Sequence, residues 1–245
     1  MESKIKKLLK ELKISNGDHL MLHGNLAILN QADKKNEIET ELNFFLKFLK
    51  KKIGKNGIIL IPTFTYNFCS NKLFNVYESR SELGMFSELS RKLIKKRTSH
   101  PIFSFTFMGN KKEYTKSSLN TCFGEGSIFN HFRENNGKII CLGCGFGTIT
   151  FLHHIEEMSK VDYRKSKIFS GYIKKENNLK KIYTKYFVRK NRKIKNNFEN
   201  FEKYLKKKKS INYIKFDRFH VIKINSRKMF ELGIDILKKK PNFFI

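Results

Sequence analysis

The chain has 245 residues, 40% of them apolar and 24 of them Phe, which is enough to bury a sizeable core and excludes a disordered class. No uninterrupted apolar run is long enough to span a bilayer. Against 22 Asp/Glu stand 51 Lys/Arg, a formal charge of +29 that favours anionic ligands over polycationic ones.

Residues 2–14 place Ile5, Leu8, Leu9 and Leu12 at helical spacing among lysines, the pattern of an amphipathic helix. This segment has neither an apolar signal core nor a cleavage site, so cytoplasm is the expected location. Asn16-Gly17-Asp18 signals a turn before a short strand over residues 19–23, with Gly24 and Asn25 at its C-terminal end. Helical period returns over residues 34–53 and closes at Gly54. The run Ile58-Ile59-Leu60-Ile61 is the continuous apolar pattern of a strand covered on both faces, and Pro62-Thr63-Phe64-Thr65 ends it. Strand, helix, strand in that order is a βαβ unit. It predicts an α/β fold with a mainly parallel central sheet flanked by helices.

Residues 66–81 show no clear period. A helix starting at Gly84 is expected up to Lys95, then a loop over residues 97–101, because Pro101 biases His100 away from helix. Residues 102–108 suit an aromatic-rich strand, 123–127 a tight turn into a helix over 128–133, and 138–142 another buried strand. Beyond residue 160 the pattern is strand-like over 172–188, a lysine-rich helix over 196–209, a strand over 213–224 and a helix over 227–239. We expect a single domain over residues 1–245, in which 1–160 bear the motifs and 161–245 form a basic mixed extension completing the fold. The extension holds 26 Lys/Arg and 7 Asp/Glu, the first part 25 and 15. Lys, Asn and Ile are abundant together, as in compositional drift, so the charge does not by itself make a nucleic-acid-binding protein.

Four cysteines include the pair Cys141 and Cys144, but a zinc ribbon needs two such pairs, and ordinary reduced thiols are expected with no metal. Gly143-Cys144-Gly145-Phe146-Gly147 after a strand superficially matches a nucleotide-cradling turn, yet no second strand ending in a ribose-binding acid follows. A turn that lets backbone approach a ligand is the better reading. On a helix just beyond it, His153 and Glu156 are three apart and share a face. A carboxylate beside an imidazole raises its basicity and fixes its tautomer, as a general base near neutral pH requires. The same spacing also suits a solvent-facing His–Glu pair. His154 and Glu157 fall further round the helix as bystanders. His23, Thr63, Thr65 and His100 cluster at strand ends and loops, where open α/β sheets bind ligands.

Six ordered segments resemble the aminoglycoside 3-N-acetyltransferase family: GDHLMLH at 17–23, IPTFT at 61–65, LGMFSE at 83–88, RTSHP at 97–101 with Ser104-Phe105, FGEGS at 123–127, and TFLHHIE at 150–156. The resemblance covers about residues 1–160 and implies an α/β acyltransferase that moves an acetyl group from acetyl-CoA to an amine by direct attack. It implies His153 as the base and Glu156 as its orienting carboxylate, with His100 and Ser104 lining the reaction centre. The resemblance also implies that His23, Gly24, Asn25, Leu26, Thr63 and Thr65 fall on the CoA side, with Ser104 also close to the cofactor. The expected partners are an acyl-CoA and a small amine-bearing sugar, with homodimer formation left open and nucleic acid not expected.

Departures bear on the acceptor. Gly24 and Asn25 stand where the family commonly has small hydroxyl residues, Ile128 stands where it commonly has proline, and residues 66–74 contain no acid. A polycationic aminoglycoside calls for carboxylates, so a nucleotide-linked amino sugar is the expected acceptor. The alternatives are an aminoglycoside, as in antibiotic resistance, and a nucleic-acid-binding protein on a degenerate scaffold.

Overall fold

The computed structural model describes residues 2–29 and 35–245. In chain order its elements are α1 (Glu2–Glu11), β1 (His19–Gly24), α2 (Lys35–Ile53), β2 (Ile58–Pro62), α3 (Phe68–Asn71), β3 (Leu73–Asn75), α4 (Met85–Ile94), β4 (Phe105–Met108) and α5 (Lys112–Thr115). The second half adds α6 (Ile128–Glu134), β5 (Lys138–Leu142), α7 (Leu152–Met158), β6 (Arg164–Lys175), β7 (Asn178–Arg189), α8 (Glu199–Lys207), β8 (Ile211–Phe216), β9 (Phe219–Asn225) and α9 (Ser226–Lys239). Of the helix expected over residues 34–53, Lys34 lies outside the described residues.

The α/β class stands, and the sheet is mixed. Its six strands run β4-β2-β1-β5-β9-β8. β1 pairs in parallel with β2 and β5, whereas β4, β9 and β8 join antiparallel, so parallel pairing is confined to the three central strands. Those three are short apolar runs because both faces are covered. Leu20, Leu22, Ile59, Ile61, Ile140 and Leu142 point to a core shared with α1, α2 and α4. The alternate residues Met21, Ile58, Leu60, Ile139 and Cys141 point to a second core with Phe103, Phe129, Phe151, Ile155 and Met229.

Three stretches differ from expectation. Residues 172–188 belong to a hairpin of two twelve-residue strands, β6 and β7, which forms a separate sheet ordered β3-β6-β7. Residues 213–224 are a second hairpin, β8 and β9. Both turns use a non-glycine residue in the left-handed region, Glu176 at φ 56° and Asp217 at φ 51°, where no glycine marks them in the sequence. Within residues 102–108 only 105–108 is strand, since the His100 ring takes the Ile102 and Phe103 N–H groups.

Candidate active site

After β5 the chain reverses at Gly143, whose φ of 64° is left-handed and suits glycine, and a 3-10 turn at Phe146–Thr148 leads to α7. Added Cβ atoms at Gly145 and Gly147 would meet open space, so this loop keeps its backbone bare towards a void. On α7, His153 Nδ1 lies 2.5 Å from Glu156 Oε2. The Glu156 side chain is fully buried and that of His153 is 20% exposed, so the pair is not a solvent-facing one. Tyr163 donates its hydroxyl to Glu156 Oε1 at 2.9 Å. Arg164 Nε sits 2.9 Å from Glu156 Oε2 as an ion pair, although its N–H does not aim at the oxygen. The Arg164 guanidinium is held by donation to Phe187 O at 3.1 Å and Asn196 Oδ1 at 3.0 Å.

Burial pushes the Glu156 carboxyl up, but the His153, Arg164 and Tyr163 partners outweigh it and hold its pKa below the usual value. An ionised Glu156 accepts the Nδ1 proton of His153 and leaves Nε2 as the basic nitrogen. Phe123 and Phe198 flank the imidazole with ring centroids 5.5 and 5.8 Å away.

His153 opens on a cavity of about 350 Å³ whose wall includes His23, Gly24, Tyr66, Ser87 and Thr150. His23 ends β1 with its Nε2 buried and unpartnered, and burial lowers its pKa to about 4, so the ring is neutral at physiological pH. A Cβ at Gly24 would come 2.9 Å from the Phe86 ring of α4, so only glycine fits there without displacement.

Of the residues anticipated from the sequence, His153, His23 and Gly24 line this cavity, and Glu156 reaches it only through its contact with His153. The others are placed elsewhere. His100 is buried, its Nδ1 accepting from Ile102 N at 3.3 Å and Phe103 N at 3.0 Å and its Nε2 lying 3.3 Å from Thr184 Oγ1. Burial lowers its pKa to about 4, and its ring nitrogens are taken up by the loop and by Thr184 of β7, away from the lining of the His153 cavity. Thr63 and Ser104 are fully buried and spend their hydroxyls on each other and on Arg97, whose Nε donates to both at 3.1 and 3.0 Å. Thr65 donates to Pro101 O at 3.0 Å. These three threonine and serine hydroxyls tie strand ends together and do not line the cavity. Asn25 caps the 3-10 turn at Leu26–Ile28 by accepting from Ala27 N at 3.0 Å, and Leu26 is buried in the α1–α2 core. Tyr163 and Arg164, the partners of Glu156, carry no spacing signal in the sequence. Ser87 and Thr150 lie inside the quoted motifs and Tyr66 directly follows one, but nothing in their spacing singled them out.

A buried carboxylate paired with a cleft-facing imidazole, beside a second neutral histidine near the end of a parallel strand, is an arrangement able to supply a base in an α/β enzyme. The chain belongs to the aminoglycoside 3-N-acetyltransferase family, whose model matches residues 21–238. It is thus an acyltransferase of the N-acetyltransferase class. Solved structures agree on the fold. AAC-IIIb with bound CoASH superposes with a TM-score of 0.78 at 17% identity, over 96% of this chain and 95% of that one. AAC-VIa bound to sisomicin gives 0.77 at 16% identity, over 97% of each chain. A histidine-to-alanine variant of AAC(3)-IVa in complex with apramycin gives 0.77 at 19% identity, over 99% of this chain and 93% of that one. No curated protein sequence matches the chain.

Proposed function

We propose that the protein transfers an acetyl group from acetyl-CoA to an amine of an aminoglycoside, with His153 as general base. The observation that carries this reading is the His153–Glu156 pair opening on the His23–Gly24 cavity. The cavity fits the acyl end of CoA by its chemistry. Its floor lacks a Cβ at Gly24, and it offers an unpartnered imidazole nitrogen at His23 and hydroxyls at Ser87 and Thr150. His153 Nε2 takes the proton of the attacking amine while Glu156, held by Tyr163 and Arg164, stabilises the imidazolium that forms. Neutral His23 can donate one hydrogen bond to the oxyanion of the tetrahedral intermediate.

For the acceptor, carboxylates absent from residues 66–74 are supplied by other elements. Glu125, Glu157 and Asp162 line a second cavity of about 570 Å³ together with Lys160, Arg164 and Lys185, and Lys185 pairs with Glu157 at 3.4 Å, which leaves Glu125 and Asp162 for a cationic ligand. Relatives of known structure are complexes with sisomicin and apramycin, which supports the same substrate class here. The formal charge of +29 favours the competing acceptor, a nucleotide-linked amino sugar.

The test is thioester consumption over a panel of aminoglycosides and nucleotide-linked amino sugars, with the wild type and His153→Ala. Turnover should appear with aminoglycosides. In the variant kcat should fall about 10²- to 10⁴-fold, while protection by acetyl-CoA against thermal unfolding persists. Unchanged kcat in the variant removes His153 as the base, and turnover with nucleotide-linked sugars alone replaces the acceptor.

A further inference from the structure

Cys141 and Cys144 have no part in the acyl-transfer chemistry, yet they stand beside it. Cys141 is fully buried near the end of β5, and Cys144, one turn later, lines the same cavity as His23 and His153. The left-handed turn at Gly143 folds the chain back between them. Both thiols are free, Cys144 packs against the core to which Cys141 belongs, and Thr148 Oγ1, which donates to Gly145 O at 2.8 Å, lies 3.5 Å from Cys144 Sγ. The neighbouring Cys141, with Thr148, lowers the Cys144 thiol below its usual range, while Cys144 and burial raise Cys141 well above it. Elsewhere burial is the main influence and raises the thiols, Cys69 to about 11 and Cys122 well above its ordinary value.

We propose that Cys144 is a thiol–disulfide exchange site for CoA disulfide, with Cys141 as the resolving thiol, so that oxidised CoA shuts the acyl-transfer cleft. The proposal rests on the CoA reading of that cleft. The Cys144 thiolate attacks one sulfur of CoA disulfide, the S–S bond breaks, and one CoA leaves as a thiolate that takes up the proton Cys144 gave up. Cys141 then attacks the Cys144 sulfur, forms the Cys141–Cys144 disulfide and expels the second CoA, which takes up the Cys141 proton. Two protein thiols lose two electrons and one CoA disulfide becomes two CoA thiols.

The full chain is incubated with CoA disulfide or with glutathione disulfide at equal concentration and followed by intact mass, peptide mapping and thioester turnover. CoA disulfide should link Cys141 to Cys144 at least about tenfold faster than glutathione disulfide does, and excess acetyl-CoA should slow it. Turnover should fall in step and return with dithiothreitol. Cys141→Ser should accumulate the CoA adduct on Cys144. Because that change buries a hydroxyl in the core, the wild-type peptide map decides the matter if the variant does not fold. No linkage, an adduct on Cys69 or Cys122 instead, or equal rates with the two disulfides each overturn the proposal. Thermal protection by acetyl-CoA is measured on the same preparation. Protection without linkage overturns this inference alone, whereas no protection overturns the functional reading and this inference with it.

Discussion

A carboxylate with no exposed surface is held ionised only when its partners outweigh desolvation, and Glu156 has His153, Tyr163 and Arg164 around it. Glu156→Gln keeps the shape and removes the charge, leaving the Arg164 guanidinium buried without its counter-ion. The expected loss is about 3–5 kcal/mol of stability, together with a fall in kcat because the His153 tautomer is no longer fixed. The pH dependence has a definite sign. The folded pKa of Glu156 is depressed, so its contribution is present above the unfolded value of 4.5 and is lost as pH falls through the lower folded value. Thermal melts between about pH 3 and 6 should therefore show a flatter acid limb for Glu156→Gln than for the wild type. Parallel limbs in the two proteins would contradict the depressed pKa.

At the scale of elements, the meeting of β1 with α4 shapes the cleft. Gly24→Ala sets a methyl group 2.9 Å from the Phe86 ring and should cost about 1–3 kcal/mol by overpacking. Acetyl-CoA affinity should weaken with it, because the displaced wall belongs to the cavity. Phe86→Leu in the same chain makes room, so the double variant should regain part of the melting temperature; a double variant no better than Gly24→Ala would exclude this contact. The central strands were legible in the sequence because burial on both faces makes β1, β2 and β5 continuous apolar runs, and α4 and α9 because their apolar residues keep helical period. The hairpin β6–β7 was not. Its exposed positions are largely lysine, and Glu176 rather than glycine makes its turn. At the site, His153 and Glu156 were legible from their three-residue spacing. Thr63 and His100 were seen as polar residues at a strand end and in a loop, and Ser104 through the family resemblance, but sequence does not say which way a side chain turns. Theirs turn inward, to backbone N–H groups and Arg97.

Over the whole molecule, acid sensitivity has a second source. His23, His100 and His154 are each lowered by burial to about 4 from an ordinary value of 6.5. The unfolded chain takes up protons at these positions before the folded one does, so stability rises with pH between those values and is lost on acidification from about 6.5 towards 4. Each contributes up to about 1.4 kcal/mol per pH unit in that window. Melting temperature should drop steadily between about pH 7 and pH 5, well above the range in which Glu156 titrates; a flat profile there would mean that these rings are protonated in the fold. The sheet order has a consequence for how the chain acquires its activity. β5, the strand that leads to the helix of His153 and Glu156, pairs Lys138 with Leu20 on one side and with Asn225 on the other. During synthesis the strand waits with an open apolar edge until β9 has emerged from the ribosome. Such long-range pairing folds slowly, and the nascent chain, rather than the finished enzyme, is the form most exposed to aggregation and to chaperones.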